Sequence, residues 1–425
     1  MGSASTGATK GHDTRVARLL LLLPSSTYRA LDFVSAARRL NVELVVASEQ
    51  PQALSGLMDD RALVLDPRRP REAMEAVTAL ARRRPVDAVV AVDDQGVELA
   101  ARVAQELGVS HNPVAAVAAT RHKGVMRQTL GRAQVPQPEW RLLEPDQDAS
   151  AAAGLVRELA PPCVIKPVSL SASQGVIRVD DPGSAPGVAQ RVRAIARAAG
   201  QGDGPLLVER YVPGPELAVE ALLRGGELHV LAVFDKPDPL TGPYFEETIY
   251  VTPSRLGAPV LEAVDRCVAQ AASALGLSGG PVHAELRAGE RGPVMIEVAA
   301  RSIGGLCSRA LRFGLGMSLE EVILRHALGL PLAGLVREAA ASGVMMLPIP
   351  EAGTLVAVRG QAAARAVPGI AGLEITIPRG RPVLPLPEGD RYLGFVFARA
   401  ATPEAVEEAL REAHACLRLD IRAAA

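Results

Sequence analysis

The run Pro162-Cys163-Val164-Ile165-Lys166 reads as a strand ending in a lysine, and it passes into Ser169-Leu170-Ser171-Ala172-Ser173-Gln174-Gly175. Small side chains let backbone N–H groups converge on an anion, and the lysine sets a compact positive charge beside them. Phosphate binding is the chemistry such a turn offers. A serine-rich hairpin with a snorkelling lysine accounts for it equally well. Lysine is scarce here: of 46 basic residues only Lys10, Lys123, Lys166 and Lys236 are lysines, so arginine serves almost everywhere else.

A second constellation is His283-Ala284-Glu285-Leu286-Arg287, followed by Val294-Met295-Ile296-Glu297-Val298-Ala299-Ala300-Arg301. Residues two apart share a strand face, so His283 and Glu285 point the same way. Glu297 stands in an apolar strand, where an unpaired carboxylate is costly to bury. Two carboxylates on neighbouring strands facing one cleft make a hard-oxygen site of the kind Mg²⁺ takes, with substrate phosphates completing its shell. Ion pairs of either glutamate with Arg287 or Arg301 are the commoner fate of such acids. Between the two constellations, the apolar strand ending at Glu209 runs into a Pro213-Gly214 turn and Glu216. That pattern alone does little beyond reversing the chain.

The elements that position these residues begin with a parallel α/β sheet. Strands are expected at 16–23, 42–47, 62–65 and 87–92, and helices at 28–40, 70–84 and 96–108. Continuous aliphatic runs such as VARLLLLL are what strands buried on both faces look like. Pro24-Ser25-Ser26-Thr27 after the first strand offers no glycine fingerprint, which argues against dinucleotide binding. From about 114 the texture becomes α+β: helices at 114–119 and 121–132, then strands and a helix at 162–211. Three strands follow at 217–251, with a helix at 258–276, a hairpin at 281–298 and helices near 304–314 and 318–329. The last ~80 residues read as a small separate α+β unit, with strands at 343–349, 354–358, 372–377 and 392–399 and a helix at 403–416.

Composition agrees with a globular chain and excludes other classes. Among 425 residues, 48% are hydrophobic, 22% charged and 3% aromatic, with net charge −1. There is neither the basic excess nor the stacking platform of a nucleic-acid binder. Four scattered cysteines form no CxxC pair, which suits a reducing cytoplasm, and the run 16–23 is too short to span a bilayer. Neither a nucleic-acid nor a membrane partner is expected.

Taken in order, Lys123, Lys166, Glu209 with Glu216, Glu285, Glu297 and Arg301 resemble the landmarks of the ATP-grasp family across residues 115–330. RHKGVMRQTLGRAQVPQP is similar to that family's first lysine segment, PCVIKPVSLSASQGV to its second lysine and covering loop, and LLVERYVPGPE to its adenine hinge. HAELR with MIEVAARSIGG is similar to its magnesium strand pair. The resemblance implies a pre-ATP-grasp domain at 15–113 after a flexible 1–14, and an ATP-grasp domain at 114–332 with a lid at about 140–210. A C-terminal domain would occupy 333–425.

By that resemblance Lys123 and Lys166 would contact the α- and β-phosphates of ATP. The backbone at Glu209 and Val212 would read the adenine edge, and Glu216 the ribose. Ser171, Ser173 and Gly175 would close over the phosphates. Glu285 and Glu297 would bind two Mg²⁺ ions, with Mn²⁺ as the alternative metal. Arg301 would be catalytic with Lys166, stabilising an acyl phosphate. The substrate side would hold His283, Arg301, Glu247 as acceptor of an ammonium group, and Gly304 as room for a side chain. A solvated loop acid is an equal reading of Glu247, and a helix N-terminus an equal reading of Gly304.

Two positions depart from the family pattern: Ala299 stands where asparagine usually adds a metal ligand, and the covering loop is poor in glycine. The Glu297–Arg301 pattern and the C-terminal residues are instead similar to the L-amino-acid ligase branch. An ATP-dependent carboxylate–amine ligase acting on small molecules is therefore expected, with a homodimer common in that family. A carboxylase or purine-pathway enzyme on the same scaffold is the alternative, and an inactive nucleotide-binding scaffold a further one.

Overall fold

The computed structural model describes residues 15–52 and 55–423; the N-terminal stretch expected to be flexible lies outside them. Strands β1 (Arg18–Leu22), β2 (Glu43–Ser48), β3 (Ala62–Val64) and β4 (Ala88–Ala91) form a parallel sheet in the order β3-β2-β1-β4. In β1, Leu19 and Leu21 pack with Phe33 on one face, while Leu20 and Leu22 pack with Val77 and Val103 on the other. Burial on both faces is why this strand is an unbroken leucine run.

Strands β5 (Trp140–Leu143), β6 (Cys163–Pro167), β7 (Ile177–Val179) and β8 (Leu206–Arg210) build an antiparallel sheet, ordered β5-β8-β6-β7. The helices Ala151–Leu159 and Ala185–Ala198 cover one face of it through Val156, Ala189 and Val192. Strand β5 and the first of these helices escaped the sequence reading, since four residues and an alanine-rich stretch give weak periodicity.

Next come β9 (Glu216–Arg224), β10 (Glu227–Lys236), β11 (Ile249–Thr252), β12 (Gly280–Gly289) and β13 (Gly292–Ala299). After these come β14 (Ala341–Leu347), β15 (Gly353–Arg359), β16 (Ile370–Ile375), β17 (Pro382–Val383), β18 (Gly394–Ala400) and β19 (Arg418–Arg422). Eight of them form one antiparallel sheet, β13-β12-β9-β10-β11-β14-β18-β16. The expected C-terminal unit shares this sheet with the strands before it. Strands β14, β16 and β18 prolong the central sheet, and only β17-β15-β19 stand apart. The helix Ala258–Leu275, with Lys123–Arg132, packs on β9, β12 and β13 through Val264, Val268, Met126, Leu217 and Leu286.

The helix expected near 304–314 is instead a short turn, Cys307–Ala310. Gly305 there has φ +59, and a Cβ at that position would lie 2.8 Å from the Phe395 ring. Packing of the turn on β18 therefore replaces helical continuity. Among the described residues no helix is long and apolar enough to cross a membrane.

Candidate active site

A cleft opens between the β5–β8 sheet and the central sheet. Lys123, Lys166, Ser171, Ser173, Glu209, Val212, Glu216, Glu247, His283, Glu285, Glu297 and Arg301 all line it. Gly175 and Gly304, named with them from the sequence, are not among its lining residues. Gly175 donates its N–H to the carbonyl of Pro387 at 2.9 Å, which fixes the end of the covering loop.

Lys123 begins a helix capped by His122, whose ring accepts from the Val125 N–H at 3.2 Å. Its ammonium donates to the Leu170 carbonyl at 2.7 Å and lies 3.2 Å from Glu297 Oε1. Lys166 lies 2.6 Å from Glu209 Oε2, and Arg127 takes the other oxygen of the same carboxylate. Burial would raise the Glu209 pKa, but Arg127 and Lys166 hold it at about 2. Lys166 shares that one anion with Arg127. Burial, with repulsion from Arg127 and Lys123, therefore lowers its pKa despite Glu209. A phosphate beside Lys166 would supply the missing negative charge. The Glu209 side chain thus serves Lys166, leaving only its backbone available to a ligand.

Glu285 and Glu297 are register partners across β12 and β13, with a bulge immediately after Glu285. Neither is neutralised by the nearby arginines. Arg287 binds Glu216 at 2.8–2.9 Å, and Arg301 binds Asp94 at 2.8 Å. Glu285 lies instead near Lys236, at 3.4 Å, and Lys236 also pairs with Glu216 at 2.7 Å and with Glu247. Carboxylate oxygens of Glu216, Glu247 and Glu285 lie within 4.8 Å of one another, an arrangement able to hold a metal ion. Burial and the charge of Glu285 push Glu247 up to about 7 against the pull of Lys236.

His283 stands 3.4 Å from Glu285 and 3.3 Å from the fully buried Glu220, which accepts the Ile303 N–H at 2.7 Å. Burial opposes a charged ring, yet these two carboxylates raise His283 to about 9. The expected shared face of His283 and Glu285 is what the strand delivers. Hard oxygen donors, two buried lysines and a loop with Ala172 and Ser173 at φ +55 fit a nucleotide triphosphate with a divalent cation.

Sequence reasoning missed Asp94, Arg121 and Arg127, and it assigned no role to Lys236. Asp94 follows β4, and Arg301 Nη2 (2.8 Å), Arg121 Nη1 (3.0 Å) and Ser171 Oγ (2.9 Å) converge on its carboxylate. The available signal was an aspartate pair just past the carboxyl end of a parallel strand, where ligand-binding crevices form.

Fold and cleft together define the ATP-grasp class. An ATP-grasp domain model matches residues 159–310, and an ATP-grasp N-terminal domain model matches 34–110. The chain belongs to the ATP-grasp superfamily. Residues 345–422 match the L-amino acid ligase C-terminal domain 2.

An uncharacterized protein, y4rH, of Sinorhizobium fredii is 22% identical over 403 residues, covering 94% of this chain and 82% of that protein. The alanine–anticapsin ligase of Bacillus subtilis is 24% identical over 271 residues, 60% of this chain and 56% of the ligase, so the chain spans just over half its length. The crystal structure of an L-amino acid ligase from Bacillus licheniformis superposes with a TM-score of 0.81 at 24% identity. That match covers 96% of this chain and 99% of the other, and it shows a common fold.

Proposed function

We propose that the protein is an ATP-dependent ligase that activates a carboxylate as an acyl phosphate and joins it to an amine, with amino acids as substrates. The observation that carries this reading is the convergence of Lys123, Lys166, Glu285, Glu297 and Arg301 in one cleft beneath the 169–175 loop. The matched L-amino acid ligase domain at 345–422 supports the amino-acid class.

In this reading the lysines neutralise the phosphates of ATP while a substrate carboxylate attacks the γ-phosphorus in line. Glu285 and Glu297, with Glu216 or Glu247 beside them, would hold Mg²⁺ or Mn²⁺, which when bound neutralises phosphate charge. Arg301 faces the acyl phosphate. The amine then attacks the acyl carbon, phosphate leaves, and the amide nitrogen loses its proton to solvent. No protein nucleophile is needed, so the chain's tasks are orientation and exclusion of water. His283 orients Glu285 from two positions earlier on the same strand face.

The test is release of ADP and phosphate from ATP and Mg²⁺ against pools of amino acids, with mass spectrometry of the products. The expected result is amino-acid-dependent ADP and a product lighter by one water than its two parents combined. Release of AMP and pyrophosphate would overturn the acyl-phosphate route.

A further inference from the structure

We infer that Asp94 is a positioning residue that ties the phosphate-covering loop to Arg301 and thereby keeps water from the activated carboxylate. This rests on the ligase reading for its chemical consequence, though its geometry stands without it. Asp94 belongs to the N-terminal unit, yet its carboxylate meets two elements of the cleft at once. Oδ2 accepts from Ser171 Oγ at 2.9 Å and from Arg301 Nη2 at 2.8 Å, while Oδ1 faces Arg121 Nη1 at 3.0 Å. The Asp94 and Arg301 side chains are only 14% and 13% exposed, so water screens their attraction weakly.

The loop needs such a tether. Ala172 and Ser173 both occupy the left-handed region at φ +55, a conformation that costs residues with a Cβ and persists only when neighbours over-determine it. Its two ends are already fixed. Lys123 holds the Leu170 carbonyl, while the Gly175 N–H and Gln174 Nε2 bind the Pro387 and Glu388 carbonyls at 2.9 Å each. Ser171 is a further polar anchor on the side facing Arg301: its Oγ donates to Asp94 and accepts from Arg121 Nη1 at 3.4 Å. With that anchor lost, the loop lifts where the acyl phosphate forms. Water then adds to the acyl carbon, the bond to the phosphate oxygen breaks, and carboxylate and phosphate result. ATP is consumed with no amide made.

The first experiment is hydrogen–deuterium exchange of residues 169–176 in the full chain with a non-hydrolysable ATP analogue and Mg²⁺. Asp94→Ala is expected to speed exchange there about tenfold or more, while exchange in β12 and β13 stays as in wild type. Unchanged exchange at 169–176 overturns the inference, whatever the protein's reaction is. The second experiment is the ratio of amide formed to ADP released. Asp94→Ala and Ser171→Ala are expected to lower that ratio at least fivefold, with Asp94→Glu restoring part of it. A parallel fall of amide and ADP at constant ratio overturns the inference. Should Asp94→Ala fail to fold, Ser171→Ala carries both readouts. Amide absent from wild type in every pool overturns the ligase reading, and exchange at 169–176 then decides the role of Asp94.

Discussion

Glu285 and Glu297 face one another as register partners on β12 and β13, and the two arginines nearest in sequence are both engaged elsewhere. Arg287 closes on Glu216 and Arg301 on Asp94. A cross-strand pair of like charges is destabilising unless a cation joins them. Lys123 stands 3.2 Å from Glu297, while Lys236 and His283 each stand 3.4 Å from Glu285. In the ligase reading, a divalent cation arriving with nucleotide would join the two carboxylates.

Replacing Glu297 by Gln should therefore abolish turnover while leaving the fold intact. Metal stabilisation of phosphate charge contributes several kcal/mol, so a loss of about a thousandfold is expected. The check is ADP release at saturating ATP, with circular dichroism as the control for folding. Full activity in this variant would remove Glu297 from the metal site.

Acid stability should report on Glu209. Its carboxyl pKa, 4.5 when unperturbed, is held at about 2 by Arg127 and Lys166. A lowered carboxylate contributes stability that is complete above the unfolded value and is lost as pH falls through the folded one. Wild-type stability should thus decline between about pH 4.5 and pH 2, by up to about 3 kcal/mol from this group at 1.36 kcal/mol per unit. Glu209→Gln should be less stable than wild type at neutral pH, and the gap should narrow toward pH 2. Denaturant midpoints taken across that range decide it, and parallel curves would refute the assignment.

Lys236 sits among Glu216, Glu247 and Glu285 with its side chain only 3% exposed. Removing one partner from a buried ionic cluster costs about 3–5 kcal/mol, because the others keep their desolvation penalty. Lys236→Met should lower the unfolding midpoint accordingly. Millimolar Mg²⁺ should recover part of the loss, since a divalent cation satisfies the same oxygens. Thermal unfolding with and without Mg²⁺ is the measurement, and a variant as stable as wild type would contradict the burial of charge argued here.

What was legible in the sequence is local. Five residues of β1 with four leucines in succession name a strand buried on both faces, and Lys123 and Lys166, kept among 42 arginines, both line the cleft. The hidden part is non-local. Asp94 meets Arg301 across 207 positions, and no periodicity in either segment encodes that meeting. The same holds for Glu388, which binds Arg191 at 2.7 Å across 197 positions and ties the helix Ala185–Ala198 to the C-terminal residues. Alternation says that a segment is a strand but not which edge it joins. The C-terminal residues therefore read as a unit apart although β14 pairs with β11 over four residues.

That pairing yields the last prediction. A chain truncated after Gly334 would lack β14, leaving the β11 edge unpaired and uncovering Ile249 and Val251, now 1% and 0% exposed. An exposed apolar edge strand recruits other chains. The same cut removes Phe395 and Phe397, which share one core with Leu19, Leu21 and Phe33 of the first sheet and Leu306 and Phe313 near the cleft. Loss of stability should then extend through both remaining units rather than stop at the cut. The fragment is expected to be insoluble or to lack a cooperative thermal transition, whereas a chain ending at Ala423 should unfold as the full-length protein does. A soluble, cooperatively folded 1–334 fragment would mean that the C-terminal strands only decorate the sheet, and the clasp at Pro387 and Glu388 would lose its structural footing.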